Sequence, residues 1–155
     1  TKDGWATAVF WVQDHDGHPF EDIKLKRLED MIHKTLSGKV IARDAMKSRD
    51  KMKKREKAFT VPTNITFDND GSEIYTMIEV DTRDRPGLLY DLTRTLADNH
   101  VYIASAVIAT YGEQVVDTFY VKDMFGLKFF SDAKMKSLEK KLREAIVKGA
   151  ERADQ

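Results

Sequence analysis

Apolar residues alternate through Ala8, Phe10 and Val12, and again through Phe119 and Val121, which is the period of a half-buried strand. Each run breaks at a glycine turn and then resumes at helical spacing. Leu25, Leu28, Ile32 and Leu36 follow the first turn; Met135, Leu138, Leu142 and Ile146 follow the second. The two stretches are one pattern written twice. "AVFWVQDHDGHPF" (8–20) aligns with "DTFYVKDMFGLKF" (117–129) at a constant offset of 109, pairing Phe10 with Phe119, Asp14 with Asp123, Gly17 with Gly126 and Phe20 with Phe129. One inserted residue raises the offset to 110, where Lys24, Lys26, Leu28 and Glu29 meet Lys134, Lys136, Leu138 and Glu139. The chain carries a duplicated strand–turn–helix unit.

The second copy has more in front of it than the first. Ahead of Asp117 the pattern predicts a strand from Tyr75 to Asp81, a turn, a helix from about Leu88 to Asp98 and a strand from about Val101 to Thr110. Strand, helix, strand, strand, helix is an α+β order, and with one more strand it becomes the ferredoxin-like βαββαβ arrangement. We therefore expect one nearly complete copy over residues 71–155 and the second half of another over residues 1–70. The fourth strand should follow the last helix, but the chain ends in "VKGAERADQ", which has no strand character. The strand-like "AFTVPTNITFDND" (58–70) is read as the fourth strand of the first copy, leaving the second to lack one or borrow it. The start at Thr1, without a methionine and almost directly in a strand pattern, is read as a cut inside a longer protein.

Composition narrows the function classes. Of 155 residues, 41% are hydrophobic and 34% charged, which describes a folded domain rather than a disordered chain. Formal charge is zero, so the molecule as a whole has no electrostatic reason to seek nucleic acid or an anionic membrane. With no cysteine there is no disulfide and no thiolate chemistry, which suits a cytoplasmic setting. No apolar run is long enough to span a membrane and the N-terminus lacks a signal-peptide pattern. Residues 39–58 hold nine Lys or Arg against three Asp or Glu; with the acids interspersed and no aromatics for stacking, the segment reads as a solvated linker rather than a phosphate-binding arm.

The chemistry concentrates in "DTRDRPGLLYDL" (81–92). Pro86 suits a first helical turn, and Gly87 removes a side chain where the first free amides of the helix point outward. Those amides and the positive end of the helix dipole attract a carboxylate, and Asp84 beside them attracts an ammonium group. Such a site is shaped for a free amino acid. The plain alternative is that Asp84 is an N-cap and Pro-Gly only reverses the chain.

"YTMIEVDTRDRPGLLYDLTRTLADNHVYIASAVIATYGEQVVDTFYVKDMFG" resembles an ACT domain, the small regulatory module that binds amino acids, and the DRPGLL turn is that family's most recognisable feature. More narrowly, "DRPGLLYDLTRTLA", "IASAVIATYGEQVVDTFYV" and "FDNDGSEIYTMIEV" are similar to the C-terminal tandem ACT region of the bifunctional uridylyltransferases/uridylyl-removing enzymes of signal protein PII. That family senses glutamine and controls nitrogen metabolism. Its catalytic parts, a nucleotidyltransferase and a metal-dependent hydrolase, are not in this chain; Mg2+ is implied for them and no cofactor for these residues. The resemblance places an effector at Asp84, Arg85, Pro86, Gly87 and Leu88, and has the second strand, at Ala104, Ser105 and Ala106, facing the ligand or a neighbouring module. Small side chains there permit close approach, or simply pack a tight sheet face. Expected partners are glutamine, PII through the whole enzyme, and a second copy of the chain, because exposed strand edges pair.

Two other readings compete: an ACT module of another amino-acid-responsive enzyme, and a nucleic-acid module built on a ferredoxin-like sheet. The second ranks lower because Phe119 and Tyr120 point to opposite faces without basic residues gathered around them. Asp14, His15, Asp16 and His18 imitate a metal site, yet they share one short turn and the second copy keeps only the equivalent of Asp14, so we read a loop. His33 and His100 stand alone, and no nucleophile elbow or phosphate loop occurs. No catalytic residue is expected.

Overall fold

The computed structural model describes residues 9–14, 16–41 and 61–153. Ala8, His15 and nearly all of the charged linker expected at 39–58 lie outside the described residues. The chain divides into two compact units, residues 1–45 and 46–155.

In the first unit, helix α1 runs Asp22–Leu36 and ends at Gly38, whose φ of 72° lets the chain turn away while Lys39 and Val40 donate N–H to Lys34 O. Residues 9–13 form no strand, contrary to the alternation through Phe10 and Val12. A strand exists only with a ladder partner, and none of the described residues supplies one.

The second unit is a four-stranded antiparallel sheet with two helices on one face. Its elements are β1 (Asn64–Asp68), β2 (Thr76–Arg83), α2 (Leu88–Asp98), β3 (Tyr102–Tyr111), β4 (Gln114–Lys122) and α3 (Asp132–Ala153), and the strand order is β1-β2-β4-β3. Alternation explains the sheet: Thr76, Ile78, Val80 and Thr82 of β2, and Val115, Asp117, Phe119 and Val121 of β4, all point inward. They meet Leu88, Leu92 and Leu96 of α2 and Leu138, Leu142 and Ile146 of α3 in one core. Phe119 lies wholly within it while Tyr120, on the other face, meets Tyr75 edge-on at 6.4 Å.

This is the ferredoxin-like α+β fold read from the sequence, with one correction. The strand at 64–68 is the one the second copy borrows. It pairs antiparallel with β2, from Asn64 opposite Asp81 to Asp68 opposite Met77, so it supplies the fourth strand from the front instead of from behind α3. Side chains fasten it there: Thr63 and Thr82 share a 2.7 Å hydroxyl bond, and Arg143 Nη1 of α3 donates to Thr63 O at 2.8 Å. A short connection and an inward Ile65, 6% exposed, make the adjacent sheet its partner.

Candidate functional site

The duplicated turn has the same hydrogen bonds in both units. Asp14 N donates to His18 O and Gly17 N to Asp14 O; Asp123 N donates to Leu127 O and Gly126 N to Asp123 O. In each, the aspartate Oδ1 accepts two backbone N–H groups, from Asp16 and His18 in one and from Phe125 and Leu127 in the other. Asp14, Asp16 and His18 do bring donor atoms within 4.8 Å of one another. The job Asp14 shares with Asp123, though, is to hold the turn, and Asp123 does it with no histidine present.

The DRPG segment is built from three directions. Where β2 ends, Asp84 N–H donates to Glu113 O at 2.8 Å, hooking the chain onto the β3–β4 turn and leaving the Asp84 side chain exposed. Leu88 N–H returns to Arg85 O at 3.2 Å, closing the Pro86-Gly87 turn. The helix cap is Gly87 itself, at φ 78°, and no side chain caps α2. A left-handed backbone at that position favours glycine, and the bare cap leaves the amides that follow Leu88 without a side-chain acceptor at the positive end of the α2 dipole. Asp84 is therefore not the N-cap.

Arg85 turns inward, and here the structure departs from the expected ligand set. Its side chain is 5% exposed, with Nη2 donating to Asp91 Oδ2 at 2.7 Å and to Ala145 O of α3 at 3.4 Å, and Nη1 to Pro86 O at 3.2 Å. Arg152 Nη2 holds the same Asp91 at 2.8 and 2.9 Å. Gly149 makes room: a Cβ there would fall 1.8 Å from Arg85 Nη2. Arg85 is a strut between the turn and α3, and Leu88, 2% exposed, is a core anchor. Asp84, Pro86 and Gly87 remain at or near the surface.

Ala104, Ser105 and Ala106 are exposed on the edge strand β3, where a bulge at Ala104 shifts the register. They do not reach the turn. Ala106 stands opposite Phe119, which faces Ile78, whereas the turn begins after Arg83; five strand residues separate the two levels, roughly 17 Å. The β3 residues level with the end of β2 are Thr110 and Tyr111.

One buried residue was not anticipated. Asp117 sits inward on β4 between Val115 and Phe119, 2% exposed, and its Oδ1 has no hydrogen-bond partner among the described residues. Burial pushes its carboxyl up to about 6, the Asp84 carboxylate adds to the rise, and the Ala109 backbone N–H opposes both. The signal was in the sequence: in "VVDTFYV" the alternation that buries Val115, Phe119 and Val121 buries Asp117 with them. Gly149, inside a long helix where glycine is unfavourable, likewise signalled the close approach of Arg85.

Residues 64–151, from the first residue of β1 to within α3, match a family model described as an ACR9-like, ACT-like domain. The chain is 72% identical over 153 residues to a bifunctional uridylyltransferase/uridylyl-removing enzyme of Ruegeria pomeroyi, covering 99% of this chain and 17% of that protein. It is 70% identical over 155 residues to the protein of that name in Cereibacter sphaeroides, covering 100% and 17%, and 45% identical over 146 residues to that of Azospirillum brasilense, covering 92% and 16%. The chain thus spans about a sixth of the length of the curated relatives it matches. No solved structure matches it. The resemblance of its motifs to this enzyme family is borne out along the chain. A sheet and two helices wrapped around a DRPG turn, matched from β1 into α3, place the chain in the ACT-like domain family.

Proposed function

We propose that this chain is the amino-acid-sensing region of a bifunctional PII uridylyltransferase/uridylyl-removing enzyme, with glutamine as its effector. The observation that carries the reading is the uncapped start of α2: Gly87 at φ 78° with no capping side chain, beside an exposed Asp84. The amides receive the effector carboxylate and Asp84 its ammonium group. Arg85, committed to Asp91, is not available to the ligand. The names of the relatives, at 70–72% identity, support the choice of enzyme.

Uridylyl transfer to PII and its reversal would be carried out elsewhere in the whole cytoplasmic protein, together with the Mg2+ they need. The role of this region is to bias them. An effector shifts an equilibrium only by the difference in its affinity for the two states. The second state would be another pairing of modules, and β3 is the natural seam. It is a ten-residue edge strand with Tyr102, Val107, Ile108 and Tyr111 between 46% and 68% exposed, so we expect a homodimer through it.

Calorimetric titration with glutamine, against glutamate, asparagine and serine, tests the reading. Selective glutamine binding that is lost in Asp84→Ala is the expected result; no binding of any amino acid would reject it.

A further inference from the structure

We propose that the cleft between the C-terminal end of α2 and the first turns of α3 is a second binding site, for a small organic anion with an apolar body. It lies at the far end of α2 from the DRPG turn, roughly 16 Å along an 11-residue helix, and it stands whether or not that turn takes an amino acid.

One wall of the cleft is the end of α2. Its last turn closes with His100 N–H donating to Ala97 O at 3.0 Å and Val101 N–H donating to Leu96 O at 3.0 Å, the paired bonds of a helix end that turns back through a left-handed residue. Glycine is the usual occupant of that position. Here it is His100, at φ 58° the one non-glycine residue with a positive φ among the described residues. A side chain is kept where its absence would cost the backbone less. The fold makes no use of the imidazole: His100 is exposed and has no side-chain hydrogen bond or ion pair with any described residue. It lines the cleft instead.

The volume of the cleft is about 240 Å³, with Val101, Phe129 and Leu138 of the core as its floor and the exposed Met124 on its wall. That is below the roughly 300–1,000 Å³ of drug-sized sites and suits one small ring or a short chain. The rim is polar and positive. Lys134 and Ser137, one helical turn apart on α3, have no side-chain partner among the described residues. Lys141, a turn further on, donates to Asn99 Oδ1, which fixes its ammonium group at the rim and leaves two N–H bonds for another acceptor. The one acid lining the cleft, Asp123, commits its Oδ1 to the N–H groups of Phe125 and Leu127. Two cations against one committed carboxylate attract an anion, and the apolar floor selects one with a hydrocarbon body. A carboxylate and a phosphate monoester share that chemistry.

The test is a titration of the 155-residue chain followed by proton–nitrogen correlation spectra. Phenyl phosphate and phenylacetate serve as organic anions, inorganic phosphate as the bare anion and benzyl alcohol as the neutral control. At least one organic anion should give saturable shifts at the His100, Val101 and Ser137 amides and none at Gly87 and Leu88; the tighter of the two names the head group. Inorganic phosphate and benzyl alcohol should each bind about tenfold more weakly. Lys134→Gln combined with Lys141→Gln should weaken the organic anion about tenfold. His100→Gly should raise the urea midpoint, because glycine suits φ 58°, and still lower affinity about threefold. A histidine with a merely structural role would give the first effect without the second. No saturable shift at these amides with either organic anion, equal binding of the neutral alcohol, or unchanged affinity in the lysine or the histidine variant overturns the proposal.

Discussion

Replacing Gly149 by alanine sets a local rule against a tertiary one. Gly149 lies inside the 22-residue helix α3, where alanine is favoured over glycine by about 1 kcal/mol. By propensity alone Gly149→Ala stabilises. The structure reverses the sign. An added Cβ would stand 1.8 Å from Arg85 Nη2 and 2.4 Å from Asp91 Oδ2, and neither group can move freely, being 5% and 13% exposed and joined at 2.7 Å. Separating a buried pair costs about 3–5 kcal/mol when one partner is lost outright. Here Arg152 keeps hold of Asp91, and the guanidinium recovers part of its solvation as it swings out, so we expect about half of that. Set against the propensity gain, Gly149→Ala should destabilise by about 0.5–1.5 kcal/mol.

Urea denaturation checks this. It should be followed by circular dichroism, because both tryptophans, Trp5 and Trp11, precede the unit concerned. The decisive comparison is the Arg85→Ala background. With the guanidinium gone only the Asp91 carboxylate, 2.4 Å from the new methyl, still has to give way, and the cost of Gly149→Ala should fall by about 1 kcal/mol or more. A stabilised Gly149→Ala single variant, or the same effect in both backgrounds, would refute the strut between the turn and α3.

Three further outcomes follow from the same geometry. Asp117 binds its proton more tightly folded than unfolded, at about 6 against 3.8, so its contribution favours folding at low pH and is lost as pH rises through 6. Asp117→Asn should thus be more stable than wild type by about 2–3 kcal/mol at pH 7.5, with the difference shrinking towards pH 4; melting curves across that range that keep the two a constant distance apart would refute it. Gly87→Ala forces a methyl-bearing residue to φ 78° and should cost about 1–2 kcal/mol in urea denaturation, where an unchanged midpoint would reject the left-handed cap. Val107→Lys puts a charge on the exposed edge of β3 and should shift the chain toward monomer in sedimentation at unchanged melting temperature; unaltered self-association would remove β3 from the interface.

Much of this was legible in the sequence because it is local. Alternation gave β2 and β4 their inner faces, and α2 runs over Leu88–Asp98 as its spacing predicted. The duplicated turn could be read because Asp14 and Asp123 bond within four residues of themselves. Partnership was not legible. "NITFD" has the alternation of a strand, but nothing in five residues says which sheet will pair with it, and the choice of β2 is made by residues 63, 82 and 143. Phe10 and Val12 alternate as Phe119 and Val121 do, yet among the described residues only the latter meet a ladder. The site divides in the same way. Two adjacent charges, Asp84 and Arg85, were visible at the joint; which faces out depends on Asp91, Ala145 and Gly149, up to 64 positions along the chain.

That division bears on how a turn of four residues can report on a ligand. Asp84 is hooked by its backbone to the β3–β4 turn, so it belongs mechanically to the hairpin whose outer strand is the exposed edge β3. Arg85, the next residue, is fixed to α3 through Asp91 and Ala145. A ligand held at Asp84 pulls on the first attachment while the second holds. The expected displacement is therefore of the hairpin relative to the helices, and it acts at the edge where another copy would join. Arg85→Ala, which frees the second attachment, should leave the effector's amine contacts in place and weaken their influence on pairing. Effector affinity and effector-dependent sedimentation, measured on that variant, would separate the two roles; equal loss of both would mean that Arg85 supports the site itself and not its coupling to the edge.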